Sequence, residues 1–597
     1  MKLLRFFKDR LRGLTVAVTR FPLTTIFLIF AVMINAMDIQ SDKDLSKILL
    51  TLIVGVFLSA VSQVSYERFF IKTTIRYILM GIVLILTGGY YLIIMPAPTL
   101  GLEMTIRTSV ALFALLFTFI WIPVNKSNGR INFNNSFMIT FKSIFNSLFF
   151  SGVLYIGFAI IITAIDQLIF SIDYKTYSHA ANLIFILFTP MYFLSLIPIF
   201  PGNQNQDQEK VKHQTDRIIK LSSPPKFFEI LISYIIIPLI AVFTVILLIY
   251  ILQNIGGEFW RDNLLEPMIV TYSITVIVVY LLASEIENKF TLLFRKILPK
   301  ILVPIVLFQM ISSILSLSDT GITHTRYYVI LYGLFAAIAG GCLSFLPVRQ
   351  NGIVAALLIL FSLFSILPPV DAFTISKSSQ IEIVEKVLVE NNMLENYTIQ
   401  PNGNITNEDK KIITGAMNYL SMMDYDKEIE WLPKDFNFYE DFSETFGFKE
   451  YYGRDENNEY VYVSLEPNVS IPITGYDVFV NSNIYFYHNE KNTDDNVVSF
   501  DKNGEAYTLM KEGLEDQVIY KVYNAEKERI IEFETKEIFD KYYDYQTSKE
   551  FLAIEEATFM VENEYASIKV IPYSVNIDKT SDASSFMMEL YVFVQIK

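Results

Sequence analysis

Three sets of residues between apolar stretches carry the side chains that acid–base or ion-binding chemistry needs. They are Asp166, Asp173 and His179; then Glu258, Trp260, Arg261 and Asp262; then Asp319, Thr323, His324 and Arg326. Carboxylates beside histidine and arginine are equipped to hold a metal ion or an anionic lipid headgroup, or to act as acid and base on a lipid-linked substrate. That use requires the three segments to converge into one outward polar pocket, built from Asp166, Asp173, His179, Trp260, Arg261, Asp319, Thr323, His324 and Arg326. The plainer expectation is that these residues cap helices and pair with one another in ordinary wet loops.

Other chemistry lacks its residues. His179, His213, His324 and His488 show no metal-ligand spacing, and neither His-x-x-x-His nor Cys-x-x-Cys occurs, so no metal site is expected. Cys342, the only cysteine, sits in an apolar stretch, which excludes a disulfide framework. No Gly-rich loop with its lysine cradles a phosphate, and no cofactor is expected. Arg107, Lys142, Asp166, Glu229, Glu285 and Glu287 all fall near the ends of apolar stretches, where long side chains reach an interface. A midplane carboxylate of the kind that couples ion movement is therefore not expected.

The elements that position these residues are apolar segments at 21–37, 45–64, 77–95, 106–123, 144–165, 180–200, 231–252, 267–284, 301–317, 327–346 and 353–367. Each is long enough for a hydrocarbon layer of about 30 Å. With 52% apolar residues in the whole chain, they predict a polytopic α-helical bundle of about eleven transmembrane helices, with the lipid bilayer as partner. Residues 1–20 place Lys2, Arg5, Lys8, Arg10 and Arg12 among Leu3, Leu4, Phe6 and Phe7, as a basic amphipathic interfacial helix does. Alternate connecting segments carry 22 Lys+Arg on one side and 6 on the other, which places the amino terminus in the cytoplasm of a cell-membrane protein. Tyr90, Tyr91, Trp260, Tyr327 and Tyr328 fall at outer span ends and Trp121 at an inner one, as interfacial anchors. The polar stretch 201–226 reads as a flexible inner loop between six spans and five. Pro238 and Pro304 predict kinks, and Gly88–Gly89 and Gly340–Gly341 predict close helix approaches.

At 368 the character changes. Residues 1–367 hold 28 Lys+Arg against 18 Asp+Glu, whereas 368–597 hold 20 against 44. The second part therefore reads as an acidic, soluble, extracytoplasmic α+β domain, with helices at 378–393 and 407–423 and strands at 460–465, 470–480, 484–487, 530–534, 567–575 and 588–596. Its charge repels phosphate backbones, so no nucleic-acid partner is expected. Gly475-Tyr476-Asp477 predicts a turn.

Three stretches resemble a bacterial multi-pass membrane family, domain of unknown function 4153. They are 318–335 (SDTGITHTRYYVILYGLF), 367–380 (LPPVDAFTISKSSQ) and 470–480 (SIPITGYDVFV). The resemblance implies the multi-pass architecture and assigns no reaction and no functional residue. The leading expectation is a non-catalytic envelope scaffold, sensor or assembly protein whose 368–597 region binds an envelope or membrane-protein partner. The alternatives are a transporter or lipid translocator, and an outward-facing transferase acting on a lipid-linked substrate.

Overall fold

Apolar runs with no polar face bury their backbone groups in helical hydrogen bonds, the arrangement a bilayer demands. In a computed structural model they do so throughout the first 370 residues. The structure describes the chain apart from residues 1–12, 42, 98–99, 126–130, 202–207, 255–264, 316, 318–320, 453–459, 468, 487–496, 515–516, 544–550 and 579–584. Most of the expected interfacial helix thus lies outside the described residues; 13–20 are helical.

Among the described residues, nine helices are long and apolar enough to cross a membrane. They are α1 Pro22–Gln40, α2 Ser46–Phe69, α3 Thr73–Ile94, α4 Leu102–Trp121, α5 Phe133–Leu168, α6 Lys175–Leu196, α8 Lys226–Asn254, α10 Lys289–Leu315 and α11 His324–Phe345. Two shorter apolar helices, α9 Leu265–Leu282 and α12 Gly352–Phe364, occupy the remaining expected segments. The fold class read from the sequence, a polytopic helical bundle followed by a β-containing part, is the one observed.

Three local features differ from expectation. Within the stretch read as a flexible loop, Gln208–Ser222 forms helix α7, and its Ile218 is buried. Lys142 Nζ donates to the Leu221 and Ser223 carbonyls and Asn135 Nδ2 to Ser222 Oγ, which ties α7 to α5. Pro238 follows a π-helical turn, Leu231–Ile236, whereas Pro304 lies inside the continuous α10. A wider turn is one way to absorb the N–H that proline lacks. Gly340 packs closely, since a Cβ there would meet Val303 Cγ2 at 2.9 Å, but Gly88, Gly89 and Gly341 face open space.

The chain forms two compact units, Met1–Glu450 and Tyr451–Lys597. The contacts divide after Glu450, although composition changes at 368. Helices α13 Ala372–Glu390, α14 Asn407–Met422 and α15 Phe438–Phe446 belong to the first unit, with a short hairpin, β1 Leu394–Glu395 and β2 Thr398–Ile399. Their core of Phe373, Val384, Leu388, Met417, Leu420, Phe442 and Phe446 forms a helical cap on the span ends.

The second unit contains a sheet of order β4-β12-β11-β3-β9, with β10 also on β11, and a second sheet β5-β6-β7-β8. The strands are β3 Tyr460–Leu465, β4 Val478–Phe486, β5 Val497–Lys502, β6 Glu505–Gly513, β7 Val518–Tyr523, β8 Arg529–Glu534, β9 Phe551–Leu552, β10 Phe559–Glu562, β11 Ala566–Asp578 and β12 Ser585–Ile596. Pairing is antiparallel except for β3 with β9. Alternation of buried with half-buried residues along β12 sets its register. The Gly475-Tyr476-Asp477 turn is present: Gly475 has φ +95°, and Asp477 accepts from the Ile596 N–H at 2.7 Å and Lys502 Nζ at 2.6 Å.

Candidate functional site at the helical cap

Glu103 and Arg107 stand one turn apart near the start of α4, so both side chains leave the same face of the helix. Arg107 Nε donates to Glu103 Oε1 at 2.7 Å, Nη2 to Asp371 Oδ1 at 2.6 Å and Nη1 to the Ile366 carbonyl at 2.5 Å. The guanidinium also lies 4.9 Å from the centre of the Phe373 ring. Asp371, fully buried, is the N-cap of α13 and accepts from the N–H groups of Phe373 and Thr374 and from Thr374 Oγ1. Burial alone opposes its ionisation. Hydrogen bonds from Thr374, the charge of Arg107 and the Phe373 N–H outweigh that cost and hold its carboxyl below the usual carboxylate range.

Around this pair the cap and the span ends interlock. Tyr425 donates to Glu103 Oε2 at 2.6 Å, and burial together with that carboxylate pushes its phenol well up. Tyr327 donates to the Val370 carbonyl at 2.5 Å. His324 stacks on Phe373 at 5.7 Å, and both its backbone N–H and Nδ1 meet Tyr419 Oη, at 3.1 and 3.0 Å. Tyr419 also donates to Ser376 Oγ at 2.9 Å. Lys377 pairs with Glu428 and lies 5.3 Å from the Tyr425 ring centre.

Gly321 and Ile322 fit against α13: Ser379 Oγ accepts from the Ile322 N–H at 3.0 Å, and Gln380 Nε2 donates to its carbonyl at 3.2 Å. Gly321 has φ +67°, and a Cβ there would come within 2.7 Å of Gln380 Nε2, so the position demands glycine on two counts. The Gly-Ile-Thr and Ser-Gln motifs that carried the family resemblance are therefore partners in space.

This geometry is a clamp. Asp371 accepts four hydrogen bonds, three at Oδ1 and one at Oδ2, so the fold occupies most of this carboxylate's acceptor capacity. What the arrangement does is fix the cap to α4, α11 and the chain leaving α12.

The residues expected from sequence fall into two groups. Thr323 caps α11, and His324 joins the clamp; Arg326 stands in the same first turn. Asp166 accepts from the Ile172 N–H at 2.6 Å and Asp173 from the Lys175 N–H at 2.9 Å, so both shape the link between α5 and α6. His179 lies on α6, whose Tyr177 Oη meets Thr163 Oγ1 at 2.9 Å. Trp260, Arg261 and Asp319 lie outside the described residues. Sequence reasoning missed Glu103, Asp371, Tyr419 and Tyr425 as partners. Only Asp371 gave a signal, as an N-cap residue just past Pro368-Pro369.

Fold and site together define a multi-pass helical membrane protein with a clamped helical cap and a β-rich carboxy-terminal unit. A family model described as Domain of unknown function (DUF4153) matches residues 10–399, and the chain belongs to that family. The match covers the bundle, the clamp's Asp371 and all of α13, and ends before the 470–480 stretch. No curated protein and no solved structure matches the chain.

Proposed function

We propose that this protein is a non-catalytic membrane scaffold, cytoplasmic at its amino terminus, whose extracytoplasmic β-rich unit binds another envelope or membrane protein. The observation that carries this reading is an aromatic row on the first sheet of that unit. Tyr573 lies 5.5 Å from Tyr591, Tyr591 5.6 Å from Phe479, and Phe479 5.0 Å from Phe593. Phe479 and Tyr573 remain about half exposed, at 51% and 46%. Large aromatic rings held rigidly at a surface supply contact area at small entropic cost and dominate protein interfaces.

A photocrosslinking residue in place of Phe479, in the full chain in intact cells, tests this. The reading requires a discrete adduct with another protein, absent from the same substitution at Lys521. Loss of a tag after Lys597 to protease added outside intact cells tests the orientation separately.

Lipid translocation is a second reading, favoured by an apolar groove of about 760 Å³ between α8 and α9, lined by Leu239, Phe243, Met268 and Tyr272. Reconstituted vesicles in which labelled phospholipid changes leaflet no faster than in protein-free vesicles would remove it.

A further inference from the structure

At the end of the bundle away from the cap, the last turn of α4, the start of α5 and the start of α12 enclose a cavity of about 440 Å³. Its wall contains Trp121, Asn125, Asn132, Arg349, Gln350 and Gly352 and, among the described residues, no carboxylate. Two of its donors, the Arg349 guanidinium and Trp121 Nε1, have no acceptor among the described residues. Arg349 is exposed and, among the described residues, forms no hydrogen bond or ion pair; the half-buried Glu285 feels its charge but does not pair with it. Trp121 Nε1 likewise has no acceptor among them. A Cβ on Gly352 would lie 3.5 Å from that nitrogen, so the indole N–H and the start of α12 face one another closely.

The start of α12 is tied to its neighbours by side chains. Asn351 occupies the N-cap of α12, a position where asparagine ordinarily accepts from the first turn. Here its side chain makes no capping bond, and its Nδ2 donates to Asn134 Oδ1 at 2.9 Å and Ser284 Oγ at 3.0 Å. A 3-10 turn, Val348–Gln350, leads through Asn351 into the helix. By contrast α5 is closed by a capping box between Asn132 and Asn135.

A second guanidinium stands behind the wall. Arg68, 94% buried, donates to the Asn125 and Pro201 carbonyls and meets no carboxylate among the described residues. A buried charge compensated only by carbonyl dipoles leaves a positive field that an anion would neutralise.

We propose that this cavity binds a phosphate group, and that its source is the headgroup of an anionic phospholipid. Arg349 would contact the phosphate oxygens, with Trp121 Nε1 as a further donor. The apolar side chains of Ile353 and Ala356 on α12 would then carry the acyl chain along the helix. Basic pockets between spans are suited to such headgroups, and Trp121 stands at a span end, where headgroups lie.

The test uses the full chain with Trp260→Phe and Trp431→Phe, which leaves Trp121 as the only one of three indoles. The protein is reconstituted in phosphatidylcholine vesicles carrying a minor fraction of either chain-brominated phosphatidylglycerol or chain-brominated phosphatidylcholine. Preferential occupancy predicts quenching of Trp121 at least roughly twofold greater by the anionic lipid. Arg349→Gln should remove the excess and Arg349→Lys should retain part of it. Equal quenching by both lipids, with no change in Arg349→Gln, overturns the proposal. Inorganic phosphate separates the sources: an excess that survives millimolar phosphate supports the lipid, and an excess abolished by it supports a phosphate site filled from solution while overturning the lipid assignment. Unfolding midpoints in pure phosphatidylcholine, the same for parent and Arg349→Gln, exclude misfolding as the cause of a lost excess.

Discussion

The two ends of the helical bundle use similar parts to opposite effect. At the cap end a guanidinium, aromatic rings and a helix N-terminus meet two carboxylates. Arg107 is fully engaged by Glu103, Asp371 and Ile366, and the first turn of α13 is closed by Asp371. At the other end Arg349 and Trp121 meet no carboxylate among the described residues of the cavity wall and stay open. The difference lies in one kind of residue. Where the chain supplies its own anion the parts become a joint, and where it does not they remain able to receive one.

Removing that anion from the joint should have the largest effect. Asp371→Ala leaves Arg107 partly buried beside a fully buried vacancy and uncaps α13, so about 3–5 kcal/mol of stability should be lost. The purified full chain should unfold at a lower temperature, and limited proteolysis should cut within 372–446 first. Asp371→Asn keeps an acceptor for the α13 amides and should lose less. If both variants behave as the parent does, the clamp does not hold the cap.

Next in size is the glycine that lets the two family motifs meet. Gly321→Ala forces a side chain into a left-handed conformation and against Gln380, at a cost of about 1–3 kcal/mol. Gln380→Ala in the same chain should recover only the steric part, because the φ of +67° persists. Full recovery in the unfolding midpoint would show that backbone conformation contributes nothing there.

How much of this joint was legible in the sequence depends on distance along the chain. The spans were legible because each carries its own signal, some twenty apolar residues in a row. The Gly475 turn and strand β3 were legible for the same reason, since their patterns are local. Strands β5 to β7 were missed although Asn503-Gly504 is a hairpin signal with φ of +55° and +88°. Charged Asp501, Lys502, Lys511 and Lys521 masked their alternation. The clamp was illegible because its bonds join residues 264 and 322 positions apart, Arg107 to Asp371 and Glu103 to Tyr425. Nothing local marks such partners. His324 was singled out for its chemistry, and the structure places it against Phe373 and in a hydrogen bond with Tyr419.

The pH response should also separate the ends. Asp371 has a folded pKa below its ordinary value of 3.8, so its contribution is complete above that value and is lost as pH falls through the folded pKa. Tyr425 has a folded pKa above 10.0, so its contribution is complete below 10.0 and is lost as pH rises beyond it. Between about pH 7 and 9, above the range in which a histidine titrates, the clamp should hold constant. Emission from Trp431, whose Nε1 donates to Glu385 within the cap, reports this. Tyr425→Phe should remove the alkaline limb and leave the acid limb. A clamp that loosens near pH 6.5 would instead implicate His324.

The smallest effect on stability should come from the open end, and its dependence on conditions is the informative part. Arg349 is exposed and, among the described residues, unpaired, so Arg349→Gln should change the unfolding free energy by no more than about 0.5 kcal/mol in neutral lipid or detergent. A ligand that binds only the folded chain adds stability as its concentration exceeds its dissociation constant, about 2.7 kcal/mol at a hundredfold excess. Titrating phosphatidylglycerol into the parent should therefore raise its midpoint while the variant stays flat, and the two curves should meet as the lipid is withdrawn. Asp371→Ala should be lower by a similar margin at every lipid composition. Parallel behaviour of the two variants would mean that the two ends do not differ in the way their carboxylates imply.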